Sequence, residues 1–71
     1  MIRYANNNGN SNVRYYQIGY EYITVEFADG SRYTYSYESA GEYNVEKMKE
    51  LARMGSGLNS YIMRNCKYDY V

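Results

Sequence analysis

The sequence predicts an α+β domain: a small antiparallel β-meander of about three strands, with one main helix and a second short helix packed on one face. Three observations predict it. Residues 13–37 are rich in Tyr, Val, Ile and Thr and alternate in polarity, as half-buried strands do. Asp29-Gly30 interrupts that run where a hairpin would turn. After Tyr37 the apolar spacing changes from two to three and four.

Taken in order, residues 1–12 read as a polar leader whose core is ANNNGNSN, with no periodicity. It is expected to be loose, as terminal polar segments are, ahead of a single domain at 13–71. The first strand, about Val13 to Gly19, is the least regular. In the second, Ile23, Val25 and Phe27 alternate with Thr24 and Glu26; in the third, Tyr33, Tyr35 and Tyr37 alternate with Thr34 and Ser36. The hairpin register between them has two solutions. A two-residue Asp29-Gly30 loop turns the tyrosines away from Ile23, Val25 and Phe27. A three-residue Ala28-Asp29-Gly30 loop, with Gly30 left-handed as a bulge, sets Val25 opposite Tyr33 and Ile23 opposite Tyr35. A chain this small has a thin core, so the bulged register is favoured.

Asn44 reads as the cap of the main helix, with Tyr43 and Met48 at the staple positions around it. Val45, Met48, Leu51 and Ala52 form its apolar stripe. Glu46, Lys47, Lys49, Glu50 and Arg53 fill the polar side, where Glu46 reaches Lys49 and Glu50 reaches Arg53. Gly55 ends the helix. Ser56 reads as the cap of a short helix that buries Leu58, Tyr61 and Ile62. The segment KYDYV then adds a strand or lies against the sheet. The expected core is Ile23, Val25, Phe27, Tyr35, Met48, Leu51, Leu58 and Ile62.

Composition excludes more than it assigns. The chain has 71 residues, of which 12 are Tyr, one is Phe and none is Trp or His. Leu, Ile, Val and Phe number only 11, so tyrosine rings must supply apolar area. Without histidine, imidazole base catalysis and a His-containing zinc site are ruled out. The single cysteine cannot form an internal disulfide. Eight basic and eight acidic residues leave no net charge, whereas DNA binders usually carry a basic excess. No apolar run approaches the roughly 20 residues of a membrane span. An unpaired cysteine and a polar start with no export signal favour the cytoplasm.

The order of these pieces resembles the KTSC domain family. The residues that carry the resemblance are Ser11-Asn12-Val13, Gly19-Tyr20, Ile23-Thr24-Val25-Glu26-Phe27, Gly30 and Tyr33-Thr34-Tyr35. It continues through Leu51, Gly55, Leu58-Asn59, Ile62 and Lys67-Tyr68-Asp69-Tyr70. Departures are a shorter link after Gly19-Tyr20, Arg53 in place of a small residue, Asp69 in place of proline, and a longer Met63–Cys66 stretch. The family occurs at the C-terminus of some bacterial lysyl-tRNA synthetases and alone in bacterial and phage proteins. The resemblance implies no established activity, and implies RNA binding through the synthetase context.

No carboxylate, tyrosine hydroxyl or thiol stands beside an activating base in the sequence, so no catalytic residues, metal ligands or cofactors are expected. Lys67 beside Cys66 would lower the thiol pKa slightly; a structural thiol is the stronger reading. Gly55-Ser56-Gly57 reads as an interhelical turn rather than an anion nest, because it lacks a P-loop lysine. The remaining signal is tyrosine interleaved with arginine: Arg14, Tyr15, Tyr16, Tyr20, Tyr22, Arg32, Arg64 and Tyr68 are the expected binding residues. Tyr and Arg anchor protein–protein hot spots, so a protein partner is the first reading. A small phage or bacterial accessory protein, such as an inhibitor of a host defence complex, fits it. RNA or single-stranded nucleic acid, read by ring stacking and Arg–phosphate contacts, is the alternative. A nucleotide-like ligand in an oligomer groove is a third.

Overall fold

The computed structural model describes all residues 1–71. A four-stranded antiparallel sheet runs in chain order: β1 (Ile2–Arg3), β2 (Val13–Ile18), β3 (Tyr22–Phe27) and β4 (Arg32–Ser36). Three helices follow: α1 (Tyr37–Ala40), α2 (Glu42–Met54) and α3 (Leu58–Asn65). The fold is α+β, with one strand more than the three expected.

The β3–β4 hairpin takes the bulged register. Val25 lies opposite Tyr33 and Ile23 opposite Tyr35. Phe27 N–H donates to the Ser31 carbonyl at 2.8 Å, Gly30 N–H donates to the Phe27 carbonyl at 2.9 Å, and Gly30 has φ 88°. A left-handed residue at that point costs glycine nothing sterically. Tyr33 and Tyr35 therefore share the inner face with Ile23 and Val25. On the outer face Thr24 and Thr34 are opposite each other, their hydroxyls 2.7 Å apart.

A second bulge lies in β2. Val13 pairs with Phe27 but Tyr15 pairs with Glu26, so Arg14 has no partner. The extra residue shifts the alternation. Val13 and Tyr16, three positions apart, both turn inward, while Tyr15 turns outward. That is why β2 looked irregular as a sequence. The core comprises Tyr4, Val13, Tyr16, Ile23, Val25, Tyr35, Val45, Met48, Ala52, Leu58, Ile62 and Cys66. Phe27 and Leu51, expected inside, are partly buried and pack against it.

Residues 1–12 are not a loose leader. Ile2 and Arg3 pair with Tyr16 and Tyr15, and the Tyr4 ring is buried in the core. The Tyr4 hydroxyl accepts the Leu58 N–H at 3.3 Å, so it caps α3 from 54 residues away. Asn7 donates its backbone N–H to the Gly55 carbonyl at 2.8 Å and its Nδ2 to the Met54 carbonyl at 2.9 Å. Orphan carbonyls at a helix end need such donors, and the asparagine amides supply them without periodicity.

The helices also begin elsewhere than expected. Ser36 caps α1 in a reciprocal box with Ser39, and α2 starts at Glu42, with Gly41 as its cap. Asn44 thus falls inside the first turn. Its amide donates to the Ala40 carbonyl and accepts the Tyr61 hydroxyl at 2.6 Å. Gly57, not Ser56, is the cap of α3. Gly55 does end α2, in the left-handed conformation, and donates to the Leu51 and Ala52 carbonyls. The KYDYV segment adds no strand; it leans on the edge of β4 through Val71 N–H to the Thr34 carbonyl at 2.7 Å. No helix is long and apolar enough to cross a membrane.

Candidate functional site

The inner face of the sheet is covered unevenly. Along β4, Tyr35 sits beneath the helices at 1% exposure. Tyr33 is one inward position nearer the hairpin and is 37% exposed. Beyond Tyr35 the helical layer ends, and aromatic surface remains open. It forms a groove of about 460 Å³ between the β3–β4 hairpin, α3 and the KYDYV segment. Phe27, Tyr33, Tyr35, Met63, Tyr68 and Tyr70 supply its apolar walls; Asn12, Asp29, Ser31, Asn59 and Lys67 supply polar groups.

The rings are mutually arranged. Tyr33 and Tyr70 lie 4.6 Å apart with a 41° tilt. Phe27 meets Tyr33 edge-on at 6.0 Å, and Tyr35 meets Tyr70 edge-on at 6.4 Å. These are favourable separations for aromatic pairs. Asp29 accepts from Ser31 N–H and Oγ at 3.0 and 2.7 Å. Those bonds hold its carboxyl below the usual range. Lys67 is different: it enters none of the three ion pairs, and its Nζ rests 5.4 Å from the Tyr68 ring centre. Cys66, one residue earlier, is buried. Burial, reinforced by Asp69, pushes its thiol pKa up, opposite to the lowering expected from Lys67. The arrangement can hold a flat apolar group against rings and offer one cation to an anion. No cluster of His, Cys, Asp or Glu that could hold a metal is present.

The eight sequence-predicted binding residues do not converge. Tyr16 is corrected: it is only 7% exposed and belongs to the core, because the Arg14 bulge turns it inward. Tyr15, Tyr22 and Arg32 lie on the outer face of the sheet, with Arg32 paired to Glu26 at 2.7 Å. Tyr22 is half-buried and its ring lies against Gly19, where no Cβ would fit. Arg14 is exposed at the bulge, and Arg64 is exposed on α3. Tyr20 projects from the β2–β3 turn at 88% exposure. Tyr68 alone of the eight lines the groove. Sequence reasoning missed Tyr70, Met63, Asn59 and Lys67 as groove residues and did not count Tyr33 among the binding residues. The one available signal was the pair Tyr68 and Tyr70 in KYDYV, although the chain turns at residues 66–68 rather than running extended.

A second polar cluster sits at the opposite end. Lys49, expected on the solvent side of α2, is 4% exposed. It donates to the Tyr20 carbonyl at 2.8 Å and pairs with Glu46 at 2.8 Å. Its Nζ also lies 5.7 Å from the Tyr37 ring centre. Tyr37 donates its hydroxyl to Glu46 at 2.6 Å. That bond, with burial, pushes the Tyr37 phenol up to about 12. Bonds from Lys49 and then Tyr37 hold Glu46 below the usual carboxylate range. Every group here has a partner, so the cluster is structural.

Fold and site together describe a small α+β domain with one aromatic groove at the hairpin end. Comparison with protein-family models, curated proteins and solved structures finds no match to this chain.

Proposed function

We propose that this protein is a small non-catalytic binding module that recognises a protein partner through the aromatic groove. The observation that carries the reading is the open ring surface of Phe27, Tyr33 and Tyr68, next to the unpaired Lys67. Tyrosine gives large, rigid contact area at low entropic cost, and such anchors dominate binding energy. The resemblance to the KTSC family supports a cytoplasmic accessory protein of phage or bacterial type, including an inhibitor of a host defence complex.

RNA or single-stranded nucleic acid is the second reading, favoured by the tilted Tyr33–Tyr70 pair, since stacked rings hold bases. Against it, the groove offers one lysine balanced by one aspartate, and Arg14, Arg32 and Arg64 lie elsewhere. Affinity for nucleic acid comes mainly from phosphate neutralisation. A nucleotide-like ligand meets the same charge limit.

The test is a pull-down from bacterial lysate with three chains. The unaltered chain and the outer-face pair Tyr15→Ala/Arg32→Ala should recover the same protein. The groove pair Tyr33→Ala/Tyr68→Ala should lose it while remaining folded. Loss by the outer-face pair and retention by the groove pair would move the site to the sheet's outer face. Recovery of RNA whose amount falls steeply between 50 and 200 mM salt, as counterion release requires, would favour the second reading.

A further inference from the structure

Strand β4 is an edge strand, and it borders the groove. Its inner partners are fixed by hydrogen-bonded pairs at odd positions: Ser31 with Phe27 and Tyr37 with Glu21. Antiparallel ladders alternate, so the backbone groups of Arg32 and Thr34 point away from β3 to the open side. Unpaired edge groups of this kind are a template for another extended chain.

The protein's own tail shows how such a chain sits. Val71 donates to the Thr34 carbonyl at 2.7 Å, and the preceding Tyr70 places its ring 4.6 Å from Tyr33 and 6.4 Å from Tyr35. That is one ladder bond and one anchored side chain, the elements of strand addition with a side-chain pocket. Tyr68, Asp69, Tyr70 and Val71 are all exposed, so a competing segment can reach them. The edge has more to offer than the tail takes, since Arg32 and the Thr34 N–H remain outward. Lys67 has no carboxylate partner.

From this we propose that the β4 edge and the groove receive an extended segment of a partner protein, carrying an aromatic side chain next to a carboxylate, in place of residues 69–71. The aromatic group takes the notch occupied by Tyr70, the backbone pairs with Thr34 and Arg32, and the carboxylate meets Lys67. The tail is then a tethered competitor that the partner displaces. The inference rests on the proposed function and specifies its ligand.

The test uses the full chain, unaltered and as Tyr70→Ala, labelled for amide NMR. The probe is a synthetic peptide of the tail's own sequence, KYDYV. A tethered segment competes at an effective concentration of roughly millimolar order. The peptide should therefore shift the amides of Arg32, Thr34 and Asn59 in Tyr70→Ala, with half-saturation at least about tenfold below that of the unaltered chain. A peptide with alanine for its second tyrosine should lose that gain. Tyr70 is exposed, so the variant should fold, and its amide spectrum checks this. Equal half-saturation in both chains, shifts confined to other residues, or no saturable shift in Tyr70→Ala would overturn the inference. A partner recovered in a groove-dependent way that the peptide does not compete would overturn strand addition and leave the proposed function standing.

Discussion

Lys49 and Lys67 stand at opposite ends of the sheet, and their surroundings differ in kind. Lys49 is buried with a carbonyl, a carboxylate and a ring around it. Lys67 is exposed, enters no ion pair and has the Tyr68 ring beside it. The tyrosines divide in the same way. Tyr37 at the first end gives its hydroxyl to Glu46, whereas Tyr33 at the second leaves ring surface open. A polar group taken out of water must be satisfied, so the Lys49 cluster is complete and holds the fold. The second end keeps apolar area and one charge in reserve, which a structural role does not require.

The largest effect should separate two tyrosines on one strand. Tyr35→Ala empties a buried site and should cost about 3–5 kcal/mol, the range for losing a large core ring. Domains of this length hold roughly 4–10 kcal/mol in total, so this variant should lose a large share of its stability, read as a lower urea midpoint at 25 °C. Tyr33→Ala should cost at most about 1.5 kcal/mol, in line with a half-exposed aromatic pair. Equal losses would show that the groove is part of the core.

A smaller effect should separate the lysines. Lys49→Met removes the ammonium's bonds to the Tyr20 carbonyl and to Glu46 and should destabilise by about 1–3 kcal/mol, the range for hydrogen bonds to a charged group. Lys67→Met should stay within about 0.5 kcal/mol, as surface changes do, and should instead weaken partner recovery. Loss of stability in Lys67→Met would break the division between the two ends.

The smallest effect is a pH dependence. Burial raises the Tyr35 phenol to about 12, and the bond to Glu46 raises Tyr37 to about 12. Unfolded, both titrate near 10. The folded chain therefore binds more protons between these values, and stability present below about pH 10 declines toward pH 12. Tyr35→Phe should flatten that alkaline decline in urea midpoints. On the acid side Glu46 is depressed in the folded chain. Its contribution is present above the unfolded carboxylate pKa and disappears as pH falls through the folded one. Glu46→Gln should flatten that acid limb, and no flattening would mean that neither Lys49 nor Tyr37 favours the Glu46 carboxylate.

Much of this was legible in the residues. The bulged hairpin followed from Gly30 and from the shortage of aliphatics, and six of the eight expected core residues are among the buried set. The stripe of α2 and its stop at Gly55 also followed. The site was less legible. Tyr15 and Tyr16 are chemically alike neighbours, and only the unpaired Arg14 decides which faces inward. Tyr4 and Tyr70 enter the structure through contacts with residues far along the chain. A periodicity read over a dozen residues carries no trace of such contacts.

The sequence by itself determined the three strands of residues 13–37, the stripe and end of the main helix, the favoured hairpin register and the dependence on tyrosine for apolar area. Those follow from local geometry and composition, which every short window of the chain contains. Only the tertiary structure decided which tyrosines were used up inside. Tyr4, Tyr16 and Tyr35 were consumed because strand pairing, a bulge and helix packing closed over them. Tyr33 and Tyr68 remain available because the helical layer ends before the hairpin does.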